Sequence, residues 1–181
     1  AMGYTWSKML QKKIRVFEEG SRVHSVADPN SSVAGYLVFA SDSSQVEFFY
    51  PETDVVLDRR TRPDGTPVWN VEEDDTYLVE KAESEWLVSR RGQLLYATSG
   101  VEDLVKVAFV ADGGEEIEIL FFGKAGVAQM NRNGVYSLLR QYRTASGYGY
   151  KNPVFDLRGK GQEAVLTTLS DGSRLALKEK K

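Results

Sequence analysis

The sequence predicts a mainly β protein, an antiparallel sandwich or a partly open barrel that is built from hairpins and carries one packed α-helix. Three observations lead to this fold class. Several short runs alternate apolar and polar residues, which is typical of strands with one wet face. Clusters of Asp, Asn, Gly and Ser separate these runs at short intervals, as hairpin turns do. Strands do not alternate with long helices, which disfavours a parallel α/β sheet, although an α+β arrangement stays open.

The clearest hairpin lies at residues 104–122, where two alternating runs flank a turn at residues 112–114. An Asp-Gly turn between alternating runs is the strongest short-range hairpin signal. In each arm three apolar residues share one side and are expected to face the core; they are Val105, Val107 and Phe109 in the first arm, and Ile117, Ile119 and Phe121 in the second. The charged residues between them are expected to face solvent.

Further hairpins are predicted at residues 35–50 and 164–178, each with polar or Asp-Gly residues at its centre. Apolar spacing at i, i+3, i+4 and i+7 predicts the main helix over about Gly134–Arg143. A shorter helix is predicted at Thr5–Lys13, with Thr5 as its cap and a strand after it. About ten to twelve short strands are expected in total.

One domain is expected to span residues 4–178. The chain has 181 residues, and β-rich domains of this length are often single. Apolar residues make up 41% of the chain, enough for a substantial core. Residues 1–3, Ala-Met-Gly, are typical of an expression-tag remnant, and residues 179–181 are expected to form a solvated tail.

Composition argues against several classes of function. A net charge of −3 disfavours general nucleic-acid binding. The chain has no cysteine, which removes disulfides, thiolate metal sites and cysteine nucleophiles. No apolar run is long enough for a membrane-spanning helix. A cytoplasmic location is slightly favoured, although a trimmed signal peptide would leave the same sequence.

Three features with possible chemistry have simpler structural interpretations. His24 is the single histidine and lies in a strand-like run without a nucleophile elbow, so zinc and a Ser-His-Asp triad are disfavoured. The acidic run at residues 72–75 does not have the spacing of an EF-hand loop and is expected to be a solvated connection. Residues 123–126 lack a complete phosphate-loop motif and are expected to connect a strand to a helix. No metal or cofactor is predicted.

Two irregular segments are the predicted partner- or ligand-binding sites. Arg59, Arg60 and Arg62 precede the tip of a Pro-Asp-Gly turn, where arginines make good interface anchors. Tyr148 and Tyr150 lie in a glycine-rich segment that is expected to be a loop, and loops on a rigid scaffold often carry function. The aromatic residues of the predicted strands, Trp86 and Tyr96, are expected to belong to the core.

The leading hypothesis for function is a non-catalytic protein-interaction or assembly module with another protein as partner, because reactive residues are scarce. Two alternatives stay open. A small-ligand-binding barrel requires an apolar cavity of several hundred cubic ångströms. A carboxylate-dependent hydrolase requires a cleft with two facing Asp or Glu side chains and at least one perturbed pKa. The sequence does not predict an oligomeric state.

Overall fold

The computed structural model describes residues 3–28, 30–51, 53–71, 77–99, 101 and 104–181. These residues form two compact units, Ala1–Glu102 (unit 1) and Asp103–Lys181 (unit 2). Each unit contains a closed, antiparallel, eight-stranded barrel. The predicted mainly β fold is confirmed. The sequence predicted one domain over residues 4–178, whereas the structure has two units, because each set of strands closes on itself and buries its own apolar residues.

Unit 1 begins with a two-stranded hairpin and a one-turn helix, and its barrel follows. The barrel strands pair in chain order from β3 to β10, and β10 then pairs with β3 to close the sheet. The elements are β1 (Thr5–Ser7), β2 (Lys12–Ile14), α1 (Val16–Glu19), β3 (Ser21–Ser25), β4 (Ala34–Phe39), β5 (Gln45–Tyr50), β6 (Thr53–Thr61), β7 (Pro67–Asn70), β8 (Leu78–Ala82), β9 (Glu85–Arg90) and β10 (Gln93–Ala97).

Inward-facing side chains from the strands fill the interior of the unit 1 barrel. The fully buried ones include Val23, Leu37, Phe48 and Leu57, each at 0–1% exposure. An eight-stranded barrel is just wide enough for such side chains to meet at its axis. Because these side chains form one buried apolar cluster, this interior is a core.

Unit 2 is a second barrel in which all strands again pair in chain order, and β18 pairs with β11 to close it. Its core includes Phe109, Ile119, Leu139 and Leu157. The strands are β11 (Val105–Ala111), β12 (Glu116–Phe122), β13 (Val127–Arg132), β14 (Val135–Gln141), β15 (Tyr148–Lys151), β16 (Phe155–Lys160), β17 (Glu163–Thr168) and β18 (Ser173–Glu179).

The hairpin predicted at residues 104–122 is present as β11 and β12. Val107 pairs with Ile119 and Phe109 with Ile117, so the apolar residues of the two arms share one face. Phe109, Ile117 and Ile119 are buried at 2% exposure or less. Val105 departs from the prediction, since it is 55% exposed at the start of the strand.

The helix predicted over Gly134–Arg143 is wrong, because this segment contains strand β14. Asn133 and Gly134 have φ values of 54° and 80° and form a tight turn between β13 and β14. Two central residues with positive φ are the mark of a two-residue hairpin turn. The i, i+3, i+4 pattern was misleading, because tertiary pairing with two neighbouring strands outweighed it.

The helix predicted over Thr5–Lys13 is also wrong, because these residues form most of the β1–β2 hairpin. The one helix in the described residues is α1, four residues long, where the sequence predicted the following strand. The 3.6-residue period cannot be told from a hairpin in so short a segment.

Candidate functional site

The three predicted arginines do not form a single cluster. Arg59 and Arg60 are consecutive in β6 and therefore point to opposite faces of the sheet, Arg59 exposed and Arg60 half-buried. Arg62 lies in the turn after β6, where its Nη2 is 2.7 Å from Oε2 of Glu80, a side chain with 1% exposure. Of the three, Arg62 thus makes a structural ion pair, and Arg59 is the one whose side chain is exposed.

The turn that follows these arginines is tightly hydrogen-bonded. The Gly65 amide donates to the Arg62 carbonyl, and the Arg62 amide donates to the Thr66 carbonyl. The amide and hydroxyl of Thr66 both donate to Asp64 Oδ1, at 2.9 and 2.6 Å. The predicted turn at the Pro-Asp-Gly sequence is confirmed.

The two predicted tyrosines lie in strand β15, although the sequence suggested a loop. Tyr150 is 5% exposed and belongs to the unit 2 core. Tyr148 is partly buried and packs against the same core. Burial raises the pKa of the Tyr148 phenol to about 12, with further contributions from Glu179 and Tyr150. Tyr148 reaches the surface at a cavity, whereas Tyr150 has a packing role.

The loop just before β15, residues 144–147, is the irregular feature that stands out in unit 2. The hydroxyl of Thr144 lies 3.1 Å from the carbonyl oxygens of both Ser146 and Gly147, so it ties the loop to itself. Gly147 has a φ of 72°, and a Cβ there would come 2.1 Å from the carbonyl oxygen of Gly159. The loop therefore lies directly against β16, and position 147 has no room for a side chain.

A cavity of about 380 Å³ opens beside this loop. Ser146 and Tyr148 form part of its lining, and three cations surround it: Arg158, Lys160 and Lys178. Two acidic residues, Asp112 and Glu163, also line it. Lys and Arg outnumber Asp and Glu in unit 2, whereas the reverse holds in unit 1. The cavity and the 144–147 loop thus form a polar, cation-rich surface on the more basic unit.

Unit 1 contains a carboxyl pair, Glu47 and Asp54. Burial raises the pKa of Glu47, and its hydrogen bond with Asp54 adds to this effect. Burial alone would raise the pKa of Asp54, but hydrogen bonds from Glu47 and Lys8 lower it below its usual value. The contact between the two carboxyls therefore shifts their pKa values in opposite directions.

The surroundings of Glu47 give the pair a structural role. Glu47 is 0% exposed and accepts hydrogen bonds from the Ser7 hydroxyl at 2.6 Å and the Lys8 amide at 3.0 Å. These contacts attach the β1–β2 hairpin to barrel strand β5. A fully enclosed carboxyl with these partners is poorly placed for the acid–base chemistry that the hydrolase alternative requires.

A second cavity, of about 510 Å³, lies between the β1–β2 hairpin and the barrel wall of unit 1. Its lining mixes apolar side chains, among them Tyr36 and Phe49, with the ion-paired Lys8 and Asp54. It lies outside the barrel interior, which large side chains fill. This arrangement gives no support to a ligand cavity inside the barrel.

The other features that the sequence offered as possible sites are His24, residues 123–126 and the acidic run at 72–75. His24 lies half-buried in β3, paired with Ala34 and Ala97. Residues 123–126 connect two strands, β12 and β13, so the expected strand-to-helix connection is wrong. The acidic run at 72–75 lies outside the described residues. Within the described part of the chain, no group of three His, Cys, Asp or Glu side chains is placed to hold a metal ion.

The fold and this surface define a class: two closed, all-antiparallel meander barrels, one of which presents a fixed loop beside a cation-lined cavity. Residues 109–174 match the model of a family described as the membrane-bound lysozyme inhibitor of c-type lysozyme. The matched residues run from β11 into β18 and lie entirely within unit 2. Unit 2 is therefore similar to a family of protein-binding inhibitors. No curated protein and no solved structure matched the chain.

The family match agrees with the predicted non-catalytic protein-binding role and with a protein as partner. It does not support a generic assembly module, since the family is described as an inhibitor of one class of enzyme. The preference for a cytoplasmic location is wrong, because the matched family is described as membrane-bound. Among the described residues no helix has the length and apolar character needed to cross a bilayer.

The sequence interpretation singled out the tyrosines and missed the residues just before and opposite them. In the sequence, Gly147 and Gly159 are the residues that could have indicated this site, because glycine often marks a close approach of two backbones. Their proximity depends on the pairing of β15 with β16, which places Tyr148 opposite Gly159. That register cannot be read from either glycine alone.

Proposed function

We propose that this protein inhibits a c-type lysozyme by binding it through unit 2. The observation that carries the proposal is the family match over residues 109–174, which spans nearly the whole second barrel. In this function the partner protein is a lysozyme, and inhibition requires only binding, without a catalytic group in this chain. A barrel with a filled core is well suited to it, because a rigid scaffold can present a loop in one conformation.

The proposed contact surface is the 144–147 loop together with the cations beside its cavity, above all Lys160. Lysozymes cleave glycosidic bonds with two carboxyl groups that flank the substrate in a cleft. An inhibitor that blocks such a cleft benefits from a cation or hydrogen-bond donor presented to those carboxylates. Lys160 is exposed and lies at the end of β16, next to Gly159 and the loop.

The fixed geometry of the loop supports this assignment. The Thr144 hydroxyl closes the loop on itself, and the contact between Gly147 and Gly159 holds it against β16. A loop that is ordered before binding loses less conformational freedom when it docks. Ser146 stands in this loop at the cavity rim, so its hydroxyl is available as a further donor to the partner.

The exposed Arg59 in unit 1 stays a proposed partner contact of its own. Its side chain is exposed, and arginine is enriched among the residues that dominate binding energy at interfaces. It lies outside the matched residues, so it is proposed independently of the contact of unit 2. The substitution Arg59→Ala, followed by capture of partner proteins, tests it.

The experiment is a lysis assay of bacterial cell walls by a c-type lysozyme with increasing amounts of the protein, joined to titration calorimetry of the same pair. Inhibition with a stoichiometric complex is expected. Lys160→Ala is expected to weaken binding by about tenfold, because it removes a charged contact. Arg174→Ala, an exposed cation outside the cavity lining, is the matched control and should bind as the parent does. Absence of inhibition by the parent protein would refute the proposal.

A further inference from the structure

The outer face of the β1–β2 hairpin combines aromatic and cationic side chains in cross-strand pairs. Trp6 lies opposite Lys13 in the register of the two strands. One step further along, the Arg15 guanidinium lies 4.7 Å from the centre of the Tyr4 ring. We call these four residues, Tyr4, Trp6, Lys13 and Arg15, the hairpin face. The two aromatic rings are open to solvent, Tyr4 at 47% and Trp6 at 51% exposure.

The opposite side of the hairpin explains why these rings stay outside. Ser7 and Ile14 have 0% and 2% exposure and pack toward the barrel. Neighbouring residues of a strand point to opposite faces, so burying Ser7 and Ile14 places Trp6 and Lys13 on the other face, where the exposed Trp6 ring also borders the 510 Å³ cavity. The hydrogen bonds from Ser7 and the Lys8 amide to Glu47 hold this orientation. The hairpin face is therefore a fixed platform.

Residues next to the hairpin face are also aromatic or cationic. Phe17 of α1 is 53% exposed and lies beside Gly3, where a Cβ would come 2.9 Å from its ring. Within the described residues, Tyr4, Trp6 and Phe17 are the large aromatic side chains with the highest exposure. Lys8 adds an exposed cation, whereas Lys12 pairs with Ser7 and therefore lies on the other side of the hairpin.

Positive charge is concentrated around the hairpin face, although unit 1 as a whole is acidic. Residues 3–17 contain four Lys or Arg and no Asp or Glu, whereas acidic residues outnumber basic ones in unit 1 as a whole. Among the described residues, two acids reach this region from neighbouring positions: Glu18, 3.3 Å from Arg15, and Asp54, 3.1 Å from Lys8. The pair with Glu18 is solvent-exposed and therefore weak. Lys12 and Lys13 lie on the hairpin beyond these two contacts.

We propose that the hairpin face, with Phe17, docks onto the surface of an anionic lipid bilayer. Trp, Tyr and Phe lower their free energy at the headgroup level, where an apolar ring meets a polar boundary. Lysine and arginine beside them are attracted to anionic headgroups. A purely electrostatic polyanion would use the cations and leave the three rings exposed, so the bilayer interface accounts for both halves of the surface.

The fluorescence of Trp6 also provides a way to measure binding to vesicles. Trp69 is 4% exposed and Trp86 packs against Phe39, so Trp6 is the indole that a surface contact would change. Vesicles of phosphatidylcholine alone and of phosphatidylcholine with phosphatidylglycerol are titrated into the full chain. The proposal expects a blue shift of tryptophan emission and co-sedimentation with the anionic vesicles, and weak binding to the neutral ones.

Two variants separate the contributions. Trp6→Ala with Tyr4→Ala removes the rings, and Lys13→Gln with Arg15→Gln removes the two charges of the hairpin face; each double variant should weaken binding to anionic vesicles by about tenfold or more. Val135→Ala and Lys124→Gln, exposed residues of unit 2, are the matched controls and should bind normally. Thermal melts establish that every variant is folded.

Several results would overturn the proposal. These are equal binding to neutral and anionic vesicles, no binding to either, an equal loss in the control variants, or binding to soluble dextran sulfate that matches vesicle binding and leaves the emission of Trp6 unchanged. The last result would assign the face to a soluble polyanion. Inhibition of lysozyme is measured on the same variants and should be unchanged, so this proposal and the function proposed for unit 2 can fail separately.

Discussion

Gly147 and Gly159 approach each other so closely that a Cβ on Gly147 would lie 2.1 Å from the carbonyl oxygen of Gly159. The contact fixes the 144–147 loop on β16 and places it beside Lys160. Tyr148 completes the arrangement, because its ring occupies the space where a side chain on Gly159 would stand, 2.2 Å from a Cβ built there. The two glycines, which have no side chain, thus determine the shape of the surface that we propose for lysozyme binding.

Gly147→Ala should displace the loop and weaken lysozyme binding. Gly134→Ala is a matched control, because Gly134 also has a positive φ, 80°, but nothing lies within 4 Å of its Cβ position. Both variants carry the backbone strain of about 1–2 kcal/mol that a left-handed residue costs. Only Gly147→Ala adds a collision with backbone. Urea unfolding and calorimetry should therefore show a larger loss of stability and affinity for Gly147→Ala; equal effects would contradict the role of the contact.

Ser7→Ala should loosen the β1–β2 hairpin. It removes the hydroxyl that donates to Glu47 at 2.6 Å, at a cost of about 1–3 kcal/mol for a buried carboxyl that loses a partner. Hydrogen exchange of the amides of residues 8 and 9 should accelerate, since both donate to the same carboxyl. Ser44→Ala, which removes an exposed hydroxyl bonded to Asp42, serves as the control and should leave hairpin exchange unchanged.

Unit 2 should lose stability at alkaline pH. Burial raises the pKa of Tyr148 from its ordinary value of 10 to about 12. A group with a raised pKa in the folded state contributes stability that is complete below pH 10 and is lost as the pH rises toward 12. Tyr148→Phe removes this group, so its unfolding free energy should fall less between pH 10 and 12. Tyr4→Phe changes an exposed phenol and should follow the parent; a parent whose stability stays constant over this range would contradict the expectation.

Arg62→Ala should destabilise unit 1, whereas Arg59→Ala should not. Arg62 is paired with Glu80 at 2.7 Å, and Glu80 is 1% exposed, so the substitution removes a charged partner from a buried carboxylate. A loss of about 1–3 kcal/mol in chemical denaturation is expected. Arg59 is exposed on β6 and should change stability by less than about 0.5 kcal/mol. Joint substitution of Arg59, Arg60 and Arg62 would mix a fold defect with any binding defect, so partner binding is better tested with Arg59→Ala.

Much of the scaffold was predictable from short-range signals. The Asp-Gly turn at residues 112–114 and the alternation around it predicted that Val107 and Ile119 face the core from the two arms of a hairpin, and the structure pairs them. The Asn-Gly at residues 133–134 is the same kind of signal, but the spacing of Val135, Leu138 and Leu139 predicts a helix over the residues that follow it. Turn chemistry with two positive φ values was the better guide there, since it constrains the backbone directly.

The candidate site was less predictable. The tyrosine-rich segment was recognised as special, yet Tyr150 is core and the proposed contact residues are Ser146 and Lys160. Lys160 is sixteen residues from Thr144 at the start of the loop, and β16 brings it there by pairing with β15. A pairing of this kind depends on register, which a single strand sequence does not specify.

The sequence by itself determined the β class, the turn positions with glycine or Asn-Gly, and the scarcity of reactive groups, because these depend on backbone conformations and side-chain chemistry within a few residues. The tertiary structure decided that the strands close into two barrels, that Tyr150 is buried, and that Gly147 meets Gly159. Closure and burial depend on pairings between distant strands, such as β3 with β10 and β11 with β18, and their free energy comes from surface removed from water only when the whole sheet is assembled.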